Sequence, residues 1–180
     1  GLSGRVDIET ASGDISLEDS KGEFDISAAS GDIDAEAVSG ELEISTASGD
    51  IELYECSCVF SISTASGDIE ADKTVLTSAA DFSAASGDIE VELAASPAYD
   101  LDISTASGNA ELNLNGNRFR GYVEMEARKD RGRLVSDFSF DTEEFYEKHG
   151  SDYVRKSFMK DTDKPRVYIS TASGTVRLRK

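Results

Sequence analysis

Five aspartates stand at one place in a recurring decapeptide: Asp14, Asp32, Asp50, Asp68 and Asp88. Each directly follows a glycine, and the first four are 18 residues apart. If the chain coils so that they stack, like charges about 4.8 Å apart repel, and a divalent cation would relieve them. Calcium β-rolls use aspartates at turns, on the pattern G-G-x-G-x-D. Here each turn holds one glycine, and calcium seeks about six to eight oxygens. The column also lapses to Asn109 and Thr175. The expectation is a solvated acidic face with local turn hydrogen bonds, and Ca2+ at the Asp14/Asp32/Asp50/Asp68/Asp88 column is the alternative.

A second set is basic. Arg118, Arg120, Arg128, Lys129, Arg131 and Arg133 fall close together, with Tyr122, Phe138 and Phe140 nearby. Such a patch suits an anionic partner, for example an envelope polymer, or a second acidic solenoid. The alternative is a solvated hairpin whose charges offset the acidic remainder. The lone His149 has no acid–base partner in sequence and is read as a surface residue. Cys56 and Cys58 are one residue apart, which sits poorly with disulfide geometry, and two thiolates leave a zinc site incomplete. They are read as thiols at a strand or turn. There is no G-x-S-x-G, P-loop, HExxH or dinucleotide fingerprint, so no catalytic or cofactor-binding residue is expected and no enzyme.

The elements that must position these residues follow from the repeat. Ile44 to Leu53 reads ISTASGDIEL, and seven such copies recur in 180 residues. The corner glycines are Gly13, Gly31, Gly49, Gly67, Gly87, Gly108 and Gly174, with Gly22 and Gly40 half-way between the early ones. Between turns the residues alternate apolar and polar, the period of a half-buried strand. Aligning the copies gives four apolar columns, headed by Val6, Ile8, Ile15 and Leu17. A single unit cannot bury its own apolar face, whereas stacked units bury a continuous one. The predicted fold is all-β: a parallel β-solenoid of about 18 residues and two short strands per coil. Gly supplies backbone angles closed to other residues at the Ala-Ser-Gly corner, and Ser can bond the local backbone.

The period loosens after Gly67. Extra residues at 71–77 and 94–98 are expected to bulge from the turns. From residue 116 to 165 the pattern fails, and this stretch is expected to be an insertion or cap before the last coil of a single domain, 1–180. Phe119–Ala127 and Arg133–Phe140 are predicted strands joined by a hairpin turn at Lys129–Gly132. Asp141–Thr142 is predicted to cap a short helix ending at Gly150, and Tyr153–Met159 to form another strand. Charge divides in the same way. Residues 1–115 carry 3 basic and 25 acidic side chains, a net of −22, and residues 116–180 carry +4.

A net charge of −18 argues against nucleic acid and against an anionic membrane surface. No run approaches the roughly 18 apolar residues of a membrane span. The repeated (I/L)STASGDI(E/S)L units, closing on Ile169-Ser-Thr-Ala-Ser-Gly-Thr-Val-Arg-Leu-Arg, resemble a bacterial adhesin-type family of β repeats, itself of unknown function. That resemblance implies a cell-surface or envelope location, with a membrane anchor elsewhere in the full protein. It brings no binding residues. The expected function is a non-catalytic surface-binding or adhesion module whose partner is an envelope polymer, glycan or surface protein. The alternatives are a self-assembling structural solenoid and an envelope-stress regulatory domain acting through a protein partner.

Overall fold

The structure, a computed structural model, describes residues 1–180 and contains no helix. Six coils follow one another, each with a long strand and a shorter one. The pairs are β1 (Ser3–Thr10) and β2 (Ile15–Glu18), β3 (Lys21–Ala28) and β4 (Ile33–Glu36), β5 (Ser39–Thr46) and β6 (Ile51–Tyr54). Then come β7 (Ser57–Ser66) and β8 (Ile69–Leu76), β9 (Ala80–Ser86) and β10 (Ile89–Leu93), β11 (Leu101–Ser107) and β12 (Ala110–Asn113). Every long strand pairs in parallel with the long strand of the next coil, and short with short. The parallel β-solenoid is therefore the architecture.

Strict register follows from the repeat. Ile26 stacks on Ile44 and Ile44 on Ile62, so one column is apolar throughout and faces inward. The four predicted columns are buried from the second coil to the last. Only Val6, Ile8 and Ile15, in the uncovered first coil, are partly exposed. The second corner has a rule of its own. Asp19, Ala37, Glu55 and Lys73 adopt left-handed φ of 49°, 54°, 53° and 50°. That bend turns the following Ser20, Val38, Cys56 and Thr74 into the interior. The thiols of Cys56 and Cys58 are thus core groups. Both are free, and burial pushes Cys58 up to about 12.

The remaining strands are β13 (Gly121–Arg128), β14 (Gly132–Ser136), β15 (Thr142–Lys148), β16 (Ser151–Lys160) and β17 (Arg166–Arg179). The C-terminal β17 does not end the stack. It lies between the sixth coil and β13–β14, pairing in parallel with both. The chain thus skips one layer, builds the layer beyond, and returns to fill the gap. Residues 129–132 are therefore not the hairpin turn predicted from sequence, because β13 and β14 each pair in parallel with β17. They are the corner of an eighth coil that lacks the Ala-Ser-Gly signature.

The predicted short helix is also corrected. Residues 142–148 are strand β15, antiparallel to β16, which is antiparallel to β13. The two-residue turn His149-Gly150 has φ of 52° and 73°, the left-handed pair that favours a tight hairpin. Tyr146 stacks on Tyr153 across this hairpin at 5.9 Å, and Glu143 pairs with Lys156 at 3.1 Å. Cross-strand contacts of this kind outweigh the weak helical signal of the glutamates. The expected bulge at 71–77 is mostly strand β8, which bends so that Val75 and Leu76 pair with β7. Phe119, Phe138, Phe140 and Phe158 pack together over the last coil, and Phe138 and Phe158 stack at 5.1 Å.

At Gly49, φ is +145° and an added Cβ would lie 2.0 Å from the Gly31 carbonyl oxygen of the preceding coil. At Gly13 of the first coil the same Cβ would meet nothing within 4 Å. Gly13→Ala should therefore cost about 1–2 kcal/mol, the left-handed penalty alone. Gly49→Ala should cost more, and its melting temperature should fall further by at least several degrees in thermal denaturation.

Candidate ligand groove

The aspartate column does form a column, and each carboxylate has a partner. Asp14 Oδ1 accepts the backbone N–H of Asp32 at 3.1 Å, and Asp32 that of Asp50 at 2.9 Å. Asp50 accepts from Asp68 at 2.8 Å, Asp68 from Asp88 at 2.7 Å, and Asp88 from Asn109 at 2.7 Å. Asn109 Oδ1 continues the ladder to the Thr175 N–H at 2.9 Å. The sequence predicts bonds within each turn, whereas these run from coil to coil. They also explain the lapse to Asn109, because an amide oxygen accepts as a carboxylate does. No group of three or more His, Cys, Asp or Glu converges on a position that could hold a metal ion.

The six basic residues fall into separate groups. Arg118 and Arg120 share Asp161, at 3.6 and 3.0 Å. Arg128 and Arg131 share Asp130, at 3.1 and 3.6 Å. Lys129 lies over the Phe145 ring, 5.2 Å from its centre. Arg133 is exposed on β14. His149 occupies the β15–β16 turn.

A different feature runs the length of the solenoid. In the long strands the position after the core isoleucine points outward, and so does the alanine two further on. Stacking makes two columns: Ser45, Ser63, Ser83, Ser104 and Ser170, and Ala47, Ala65, Ala85, Ala106 and Ala172. These side chains are too short to fill the bend of the coil beside them, and a groove results. It consists of two shallow, solvent-open depressions that share Ser45, Thr46 and Ala65, one of about 680 Å³ reaching Glu126 and one of about 760 Å³ continuing past Ser27 to Glu9. The threonine between the two columns points inward. Thr105 and Thr171 donate to the corner carbonyls of Gly87 and Gly108 at 3.0 and 2.8 Å.

At its capped end the groove meets Glu126, Lys148, Tyr153 and Tyr168. Glu126 takes the serine position in the eighth coil, opposite Ser170. It is 3% exposed, yet Arg155 Nη2 donates to it at 3.1 Å and Lys148 Nζ at 3.4 Å. Burial alone would raise its pKa. Tyr146, Arg155 and Lys148 outweigh that and hold it below the usual carboxylate value. Burial pushes the Tyr146 phenol up to about 12 and raises Tyr168 as well. Beside the groove, Asp81 and Asp102 stack in adjacent coils, and Asp102 neighbours Tyr168. Burial, then the charge of Asp81, pushes Asp102 up to about 6.

Sequence reasoning missed this groove. The reading from sequence stops at the Ala-Ser-Gly corner; the alternation in the residues leading into it, Ile-Ser-Thr-Ala in four of the seven copies, is the signal that Ser and Ala face outward. The closing residues come from β13, β15, β16 and β17, and no local motif connects them.

A family model described as Toastrack DUF4097 matches residues 3–132, and the chain belongs to that family. The description marks a domain of unknown function and says nothing of adhesion. The match spans the six serial coils and β13, whereas Lys148, Tyr153 and Tyr168 lie beyond it. No curated protein and no solved structure matched the chain.

Two predictions test the electrostatics. Asp50→Asn keeps the acceptor and should leave stability near wild type, whereas Asp50→Ala removes a charge-assisted bond and should cost about 1.5–3 kcal/mol in chemical denaturation. Folding raises Asp102 from 3.8 to about 6, so its contribution favours the folded chain below pH 4 and is lost as pH rises through 6. Asp102→Asn should therefore raise the melting temperature by about 2–4 °C at pH 7.5 and leave it unchanged near pH 4.

Proposed function

We propose that this Toastrack-family chain is a non-catalytic binding module that lays an extended, hydroxyl-rich polymer, a surface or envelope glycan, along the groove. The observation that carries the reading is the groove itself, floored by serine hydroxyls and ending at Tyr153 and Tyr168. Hydroxyls donate and accept, which suits sugar hydroxyls, and tyrosine rings offer an apolar face with a polar tip. An extended peptide fits less well. Peptides bind sheets by adding a strand to a free edge, and the floor strands are paired on both sides. A net of −22 over residues 1–115 disfavours a polyanion in the groove.

The side chains favour holding over turnover. Glu126 is fixed as an anion between two cations, and Tyr146 and Tyr168 stay protonated at neutral pH. Asp81 and Asp102 stand in one column on one side of the groove. Glycoside hydrolysis needs two carboxyl groups flanking the bond instead. The bacterial envelope is our choice of compartment because the resemblance of the repeat implies it.

A second reading, end-to-end assembly, has one observation in its favour. The outer edge of β1 is unpaired, and Val6, Ile8 and Ile15 of that coil are only partly buried.

Ser104→Glu tests the groove directly, because glutamates already occupy the same column at Glu9 and Glu126. The substitution should leave the melting temperature near wild type and weaken retention on purified cell-wall glycan by about tenfold or more. Arg118→Ala with Arg120→Ala should leave retention unchanged. The opposite pattern would move the binding surface to the basic residues.

A further inference from the structure

We propose that the groove is blind and reads the terminus of the glycan it holds, an inference that rests on the glycan-binding reading above. The floor consists of serine and alanine from the third coil to the seventh. In the eighth coil the serine column carries Glu126, and Arg128 follows Ala127, the partner of Thr171. The next strand sets Arg155 against Glu126 and Tyr153 against Arg128. Large side chains thus stand where five successive coils present only hydroxymethyl and methyl groups.

These side chains are fastened in place. Glu126 is held by Arg155 and Lys148, and Arg155 Nη2 also donates to the Tyr146 hydroxyl at 3.2 Å. The Tyr153 ring stacks on Tyr146 and lies under Lys148 Nζ, 5.7 Å from the ring centre. Swinging this wall aside would strip the buried Glu126 carboxylate of its half-exposed partners Arg155 and Lys148. The other end differs. Glu9 also takes the serine position there, but it is exposed and held by no ion pair, and no strand lies beyond β1, so the groove runs out past Glu9, Thr10 and Ala11.

A polymer that follows the floor can therefore continue over the first coil, whereas at the other end its path along the floor is obstructed by Tyr153, Lys148 and Glu126. Tyr153 offers its ring edge and hydroxyl to the terminal sugar, and Lys148, with its side chain 47% exposed, offers a donor to a terminal hydroxyl. A through-going groove would bind the interior of a long chain and ignore its ends.

Attachment geometry separates the two cases. Linear hexamers of β-1,4-linked N-acetylglucosamine and of β-1,4-linked glucose are immobilised either through the reducing or through the non-reducing end. The full chain is then passed over each surface. One attachment should bind and the opposite one should bind about tenfold more weakly or worse, because it occupies the terminus that must enter. Tyr153→Ala, checked for a native melting curve, should lower the favoured binding and bring the two attachments within about threefold. Equal binding to both attachments by the unaltered chain would overturn the blind groove and leave the glycan reading standing. Absence of binding to every surface would overturn both.

Discussion

The structure depends on one constraint: every coil must seat its corner directly on the corner beneath. The corner glycines approach so closely that a Cβ at Gly49 would enter the van der Waals radius of the Gly31 carbonyl oxygen. Only a side chain of hydrogen fits, and the backbone conformation there also favours glycine. The aspartate after each glycine then reaches one coil along and accepts the next backbone N–H. Corner spacing, core columns and ladder bonds all share one register. Uniform stacking in turn allows outward serines and alanines to line up as a continuous groove rather than as scattered surface residues.

The same constraint shapes the C-terminal third. A parallel stack grows by adding coils, and its exposed end leaves strand edges open. This chain closes one end by reversing direction. Strand β16 pairs antiparallel with β13, and β15 pairs antiparallel with β16. The return of β17 into the skipped layer ties that cap to the regular coils through parallel ladders on both sides. The excursion also supplies the groove with its end, because Glu126, Lys148 and Tyr153 all come from it. The family match stops at residue 132.

The coil was legible in the sequence because its physics is local and periodic. Ile26, Ile44 and Ile62 are identical residues at a fixed interval, and such a column has one sensible direction, inward. The interrupted region was harder to read. Lys129–Gly132 resembles a hairpin turn in isolation, and only the later arrival of β17 makes it a corner. Glu143 to Lys148 suits a helix or a strand by composition, and its pairing with β16 decides for strand. The ladder was half legible: aspartates at turns suggested hydrogen bonds, but a single repeat shows no sign that the donor lies in the next coil. The groove was present in the alternation of Ser, Thr and Ala. It became visible only once outward positions could be stacked and the closing side chains, from Glu126 to Tyr168, brought together.

Backbone amide shifts of the isotopically labelled chain, followed by nuclear magnetic resonance while a bound glycan hexamer is titrated in, test the central claim most directly. Changes concentrated at Ser63, Ser83, Ser104, Ser170 and Tyr153, with little change at Arg118, Arg120 and Arg133, are what a groove-binding solenoid predicts. Changes confined to the basic residues or to the open edge of β1, with the serine column silent, would contradict it.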